Sequence, residues 1–173
     1  MATHDRTIDL ARLALTPGEG RRLDVHVRPG EIMLGGQEYA FVPELAPAQL
    51  DISRTAAGHA LRLTFSGRLD GPCMRCLTAA SVAIDVEARE VDQPRSDDEE
   101  LLSPYVRDDE VDLDTWSHDA LALALPAKLL CRADCAGLCP VCGEPLNDSA
   151  PEAHRHEAEA DPRWAPLREL KLD

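Results

Sequence analysis

Six cysteines and two histidines set the strongest constraint on this chain. They fall as Cys73-x2-Cys76, then Cys131-x3-Cys135-x3-Cys139-x2-Cys142, with His154-x-His156 behind them. A C-x2-C pair lets two thiolates reach one ion, because the tight turn between them points both sulfurs inward. Cys139-Pro140-Val141-Cys142-Gly143 carries the stronger signal of the two pairs. Gly143 follows the second ligand where a knuckle commonly needs a positive φ, and Pro140 stiffens the turn.

Eight N/S ligands suit two tetrahedral Zn²⁺ ions in closed, structural sites with no open position for water. Taken in chain order, one site is Cys73, Cys76, Cys131 and Cys135, and the other is Cys139, Cys142, His154 and His156. The spacing leaves other groupings open, among them a single four-cysteine site of Cys131, Cys135, Cys139 and Cys142. Unligated cysteines acting as small buried hydrophobes are the plainer alternative. Two C-x2-C pairs with two more cysteines at x3 spacing speak against it. The x1 spacing of His154 and His156 is shorter than the usual H-x3–5-H, so a turn or loop is the expected context. Glu-Ala-His-Arg-His-Glu also reads as a solvated surface stretch.

The compartment matters to that choice. The first fifteen residues, MATHDRTIDLARLAL, hold no continuous apolar run of signal-peptide type, and nowhere do eighteen apolar residues follow one another. A soluble, cytoplasmic chain with no membrane partner is expected, and a reducing compartment favours metal ligation over disulfides. Aromatic residues make up only 3% of a chain that is 44% hydrophobic. The core is therefore built from Leu, Val and Ala, which bury less area per residue than rings, so metal crosslinks contribute more here.

The first half reads as β structure. Leu23–Arg28 alternates apolar and polar, Pro29-Gly30 and Gly35-Gly36 mark turns, and Tyr39–Val42 is a short strand. Leu61–Leu69 carries its apolar side chains on odd positions and Val82–Glu87 on even ones. Pairing Leu63 with Val86 and Phe65 with Ile84 also sets Arg62 opposite Glu87, which predicts an antiparallel hairpin with Cys73 and Cys76 at its tip. The stretch Asp92–Glu100 has the composition of a solvated, mobile linker. A helix is expected through His118–Leu125, capped by Asp114 and stopped by Pro126, with Leu113, Trp116, Ala120, Leu123 and Ala124 buried, although the strict Leu-Ala alternation also suits a strand. Asp161–Leu170 looks like a second, short helix. The fold class is α+β: an antiparallel β domain over 1–91, an acidic linker over 92–110, and a helix with a zinc-binding tail over 111–173.

Net charge is −14, unevenly spread. Residues 85–114 hold thirteen acids against Arg89, Arg95 and Arg107, whereas residues 52–84 hold Arg54, Arg62, Arg68 and Arg75 against Asp70 alone. An acidic chain repels phosphate backbones at long range, so RNA contact requires a local basic face or a basic partner. Arg62, Arg68 and Arg75 are candidates for such a face beside the knuckle. They also read as the solvated side of a hairpin, paired with Asp85 and Glu87. No G-x-S-x-G, H-E-x-x-H, Walker loop or G-x-G-x-x-G occurs, and nothing supports an enzyme or a small-molecule substrate.

The chain resembles the bacterial YceD family of large-subunit ribosomal RNA accumulation proteins. The resemblance rests on Ile8-Asp9-Leu10 with Pro17-Gly18-Glu19, Gly67 with Cys73-Met-Arg-Cys76-Leu77, Asp112-Leu113, and the Ala-Leu-Pro126 helix end. It continues through Leu130-Cys131 to Cys142-Gly143 and through Asp161-Pro162-Arg163-Trp164. It implies a non-enzymatic role in 23S rRNA accumulation and large-subunit biogenesis, with that rRNA or an assembly protein as partner. Many relatives carry Cys-x-Cys at the place of His154-Arg-His156, and some lack the pair matching Cys139 and Cys142. The first feature implies a retained second site of N/S ligands, and the second fits two separable sites better than one four-cysteine site. The alternatives from other classes are an acidic protein–protein adaptor that binds a basic ribosomal protein or a nuclease through the 92–110 segment, and a thiol/zinc redox sensor.

Overall fold

The computed structural model describes residues 6–148 and 154–156. The second helix expected over Asp161–Leu170 lies outside them. In chain order the elements are β1 (Thr7–Asp9), β2 (Gly20–Val27), β3 (Glu31–Leu34), β4 (Gln37–Val42), β5 (Ala46–Arg54), β6 (His59–Pro72), β7 (Ala79–Asp92), β8 (Val106–Arg107), β9 (Glu110–Asp112) and α1 (Leu113–Ala124). Antiparallel sheet with one helix is the α+β class that the sequence suggests.

The molecule is organised by the β6–β7 hairpin, fourteen residues on each arm. On its free side β6 pairs with two strands in succession, β5 along His59–Phe65 and β4 along Arg68–Asp70. Beyond these, β2 pairs with β5 and β3 with β4. β5 was not apparent as a strand from its sequence, which contains Pro47. That proline lies one residue past the last β5–β6 pair, Ala48 with Phe65, so its missing N–H interrupts no bond to β6. Ala46, Ala48, Leu50 and Ile52 alternate into the core against Leu61, Leu63, Phe65 and Leu69 of β6.

The hairpin register differs by two residues from the pairing the sequence suggests. Leu63 lies opposite Ala88 and Phe65 opposite Val86, and Arg62 faces Arg89. A two-residue slip keeps every side chain on its face, so the apolar pattern cannot distinguish the registers. The tip decides: Cys73 N–H donates to the Thr78 carbonyl at 2.7 Å, closing a shorter loop than Gly71–Leu77. Glu87, now diagonal to Arg62, still bonds it at 2.8 Å and also bonds Arg89 at 2.8 Å.

The stretch 92–110 is acidic and mostly exposed, and it carries a 3₁₀ turn at Glu99–Leu101 and strand β8. It is tied back by the Asp92 carboxylate, which accepts from Ser103 N–H at 3.3 Å. β1, β9 and β8 form a separate small sheet that brings the start of the chain to the start of α1. The helix cap is Asp112, two residues earlier than expected: its carboxylate accepts from the N–H groups of Asp114 and Thr115. With the start moved, the buried stripe is Leu113, Trp116, Ser117, Ala120 and Leu121. Leu123, expected inside, is 88% exposed. α1 packs against β7 and touches β1 and β2.

Candidate metal centres

The hairpin carries Cys73 and Cys76 in the loop between β6 and β7. Cys73 N–H bonds Thr78 and Leu77 N–H returns to the Cys73 carbonyl at 3.0 Å, with Leu77 held at φ 60°. The segment beyond α1 comes back to this tip. Met74 N–H donates to the Leu129 carbonyl at 2.9 Å, and Leu129 N–H approaches the Met74 sulfur at 3.4 Å. That docking delivers Cys131 and Cys135 to the hairpin.

The result is a compact thiol group. Cys73 Sγ and Cys135 Sγ are 3.7 Å apart, and Cys76 Sγ and Cys131 Sγ are 3.6 Å apart. All four sulfurs lie within 4.8 Å of one another. Cys73, Cys76 and Cys135 are buried and Cys131 is half-buried, with Ala80, Leu130 and Leu138 packed around them. Burial raises the Cys73 thiol, but the N–H groups of Arg75, Cys131 and Cys76 outweigh it and hold the group at about 6. Cys76 is lowered by the Thr78 hydroxyl, 3.0 Å from its sulfur. Cys131 is pushed up to about 11 by burial and by sharing hydrogen bonds with Cys76 and Cys135. Thiols that hold one another's protons in this way lose them to a divalent cation, which replaces several protons by one central charge.

The second group is built on the next knuckle. Cys139 N–H donates to the Glu144 carbonyl, Gly143 N–H donates to the Cys139 carbonyl, both at 2.8 Å, and Gly143 takes φ 75° as its position suggests. Leu138 and Pro145 bridge across its base. His154 sits in a short 3₁₀ turn outside any strand, with its Nδ1 3.5 Å from Cys142 Sγ. The ligand atoms of Cys139, Cys142, His154 and His156 lie within 4.8 Å of one another. Backbone N–H groups of Cys142 and Val141 lower the Cys139 thiol to about 7. Cys139 alone of the four is buried. Each group can hold one metal ion, the first enclosed and the second open to solvent. The single grouping of Cys131, Cys135, Cys139 and Cys142 is not the one assembled.

Two contributors carry no spacing signal in the sequence. Asn147 reaches back so that its Nδ2 lies 3.5 Å from Cys135 Sγ, while its Oδ1 accepts from Ala136 N–H at 2.8 Å. Thr78 supplies the hydroxyl at Cys76. With an ion held by the cysteines, both would stand in the outer layer of groups that orients metal ligands.

The three arginines do not form a free basic patch. Arg62 is bonded to Glu87 at 2.8 Å and Arg68 to Asp70 at 3.2 Å, whereas Asp85 takes no part. Arg75 is exposed at the hairpin tip, its backbone against Gly137. Arg62 instead belongs to a row across four strands. Arg22 of β2 lies opposite and bonded to Asp51 of β5, Asp51 lies opposite Arg62, and Arg62 lies opposite Arg89.

The family model for the large ribosomal RNA subunit accumulation protein YceD matches residues 61–171. The chain is 34% identical over 175 residues to a protein of Mycobacterium tuberculosis described only as uncharacterized, covering 95% of this chain and 80% of the relative. A Mycobacterium bovis protein matches to the same extent. One from Mycobacterium leprae is 29% identical over 144 residues, covering 78% of this chain and 64% of the relative. No solved structure matches the chain. Among the described residues, no helix is long and apolar enough to cross a membrane.

Proposed function

The chain belongs to the YceD family, and from that premise we propose that it is a cytoplasmic, non-enzymatic factor in 23S rRNA accumulation and large ribosomal subunit biogenesis, held together by two structural Zn²⁺ ions. The observation that carries the zinc reading is the sulfur geometry. A zinc–thiolate bond of about 2.3 Å puts the sulfurs of a tetrahedral four-cysteine site about 3.8 Å apart, and the separations of 3.7 and 3.6 Å fit that edge. The ligands are Cys73, Cys76, Cys131 and Cys135 for one ion and Cys139, Cys142, His154 and His156 for the other. Four protein ligands per ion leave no position for a reacting water, which agrees with an architectural role.

The test is the ratio of 23S to 16S rRNA in cells. Deleting the gene should lower it, the wild-type gene should restore it, and a gene with Cys73 and Cys76 both changed to serine should not. An unchanged ratio in the deletion strain defeats the proposal.

A second reading, the acidic adaptor, is favoured by one observation: Arg62 and Arg68 are already ion-paired with Glu87 and Asp70. With −14 net charge and these arginines neutralised, the protein reaches the ribosomal precursor more readily through a basic ribosomal protein or a nuclease than by holding RNA itself. Changing Arg62, Arg68 and Arg75 to Glu separates the readings. Unchanged association with rRNA supports the adaptor, and loss supports direct contact through these arginines.

A further inference from the structure

Strand β7 forms an outer edge of the large sheet, and its two halves are treated differently. Along Ala88–Glu90 it is covered: Trp116, Ala120 and Leu123 of α1 share a groove with these residues, and Ser103 bonds Glu90. Along Ala79–Ile84 it reads Ala-Ala-Ser-Val-Ala-Ile, with no charge, proline or glycine. Among the described residues only β6 pairs with β7. Among the described residues, no backbone group of 79–84 bonds outside that ladder.

A bare edge of this kind offers a row of unpaired N–H and C=O groups to any extended chain, and sheets usually blunt it with a charge, a proline, a bulge or a cover. Among the described residues none is present over these six, about 20 Å of strand. Beside the edge lies a depression of about 770 Å³ whose walls include Pro72, Leu77 and Ala79 and also the Arg68–Asp70 ion pair with Ser81. Leu77 is 61% exposed there, fixed by the knuckle turn. Just past the bare stretch stands Asp85, exposed and in no ion pair among the described residues.

We propose that residues 79–85 of β7 are a docking edge for an extended segment of a basic protein. The incoming segment adds a strand beside β7, seats an apolar side chain in the depression at Leu77 and sets a lysine or arginine against Asp85. Main-chain bonding supplies affinity and the alternate side chains supply selectivity, as in other strand-addition complexes. The inference rests on the adaptor reading and moves its surface from the 92–110 segment to the edge of β7. A nucleic acid has no peptide backbone to continue the ladder, and its phosphates meet a chain of charge −14. A second copy brings the same charge against itself. A basic polypeptide satisfies both the edge and the field.

The experiment uses the full zinc-loaded chain and two probes: a short peptide of alternating lysine and valine, and the same peptide N-methylated at every residue. The two carry equal charge and differ in their main-chain donors. The unmodified peptide should bind at least about tenfold more tightly, as expected from losing several ladder bonds, and should slow amide exchange within 79–84. Equal binding of the two peptides overturns the proposal, because charge alone then accounts for it. Amides of 79–84 that point away from β6 and are already slow in the free chain overturn it in favour of a segment of this chain or a second copy on the edge. Protection by an rRNA fragment but not by the peptide overturns it in favour of nucleic acid. These outcomes are read in vitro and leave the 23S to 16S ratio of the deletion strain untouched, so the docking edge and the biogenesis role can fail separately.

Discussion

Cys73 and Cys135 lie 62 residues apart in the chain and place their sulfurs 3.7 Å apart, at the tip of the β6–β7 hairpin. Between them lie all of β7, the acidic stretch and α1, so an ion held there closes the longer of the two loops that the metal groups close. The second group closes only the short segment from Cys139 to His156. Loop closure costs more entropy for the longer loop, and a metal that binds only the folded chain returns that cost as stability. The purified protein should contain two zinc ions. Cys139→Ser with Cys142→Ser should leave one, with the β-sheet signal and unfolding midpoint nearly unchanged. Cys135→Ser should instead lower the midpoint and free the segment after α1, seen as fast exchange of the Met74 amide that bonds Leu129. A metal-free wild type that is folded would overturn the metal reading.

Asn147 ties Cys135 to the turn at Ala136 by one side chain, with its amide nitrogen on the sulfur and its oxygen on the backbone. Outer-layer groups of this kind typically change metal affinity by about 10- to 100-fold. Asn147→Ala should therefore weaken zinc retention by the first site within that range in a chelator competition, with folding in excess zinc unchanged. Asn147→Asp keeps the acceptor but sets a carboxylate beside a thiolate, and it should be as weak as alanine or weaker.

The cap of α1 gives the protein an acid-sensitive joint. Burial raises the Asp112 carboxyl, but bonds from the Thr115 N–H and hydroxyl and the Asp114 N–H outweigh it and leave it below the ordinary carboxylate range. The unfolded chain then takes up the proton first as pH falls. The stabilisation is complete above the ordinary carboxylate pKa and is lost as pH drops through the lower, folded value. Asp112→Ala should cost about 1 kcal/mol at neutral pH. Asp112→Asn keeps a capping oxygen and removes the titration, so it should hold most of the neutral stability and flatten the acid limb of a stability-versus-pH curve.

Much of this was legible because it was periodic or covalently spaced. The odd-position apolar residues of β6 and the even ones of β7 gave the hairpin and its buried face, and the cysteine spacing gave both knuckles. What escaped has physical reasons. The hairpin register was off by two because a two-residue slip leaves every face unchanged, and only the Cys73–Thr78 bond at the tip selects between them. β5 escaped because Pro47 argues against a central strand; it sits opposite His26 of β2, and the handover of β6 from β5 to β4 leaves it without a β6 partner. Asp112 and Asp114 are equally good caps by composition. The cap became Asp112 because β9 ends there, paired with Thr7 of β1. Asn147 has no spacing rule to reveal it, since its role is set by the fold of the tail around Cys135.

Gly67 shows how closely the handover on β6 is fitted. It lies where β6 passes from β5 to β4, and the Phe41 ring of β4 lies over it in edge contact with Phe65, ring centroids 5.6 Å apart. A Cβ at Gly67 would stand 2.5 Å from Phe41 Cζ and 2.6 Å from the Val42 carbonyl oxygen. The ring can turn away only by giving up its contact with Phe65, and the carbonyl belongs to the backbone beside the β4–β6 ladder. Gly67→Ala should therefore destabilise by about 1–3 kcal/mol, the usual cost of overpacking, despite alanine's better backbone entropy. Chemical denaturation of the zinc-loaded protein measures this directly. Gly67→Ala paired with Phe41→Leu should recover part of the loss if the ring is the obstacle. No recovery would place the strain on the Val42 carbonyl and on β4 itself.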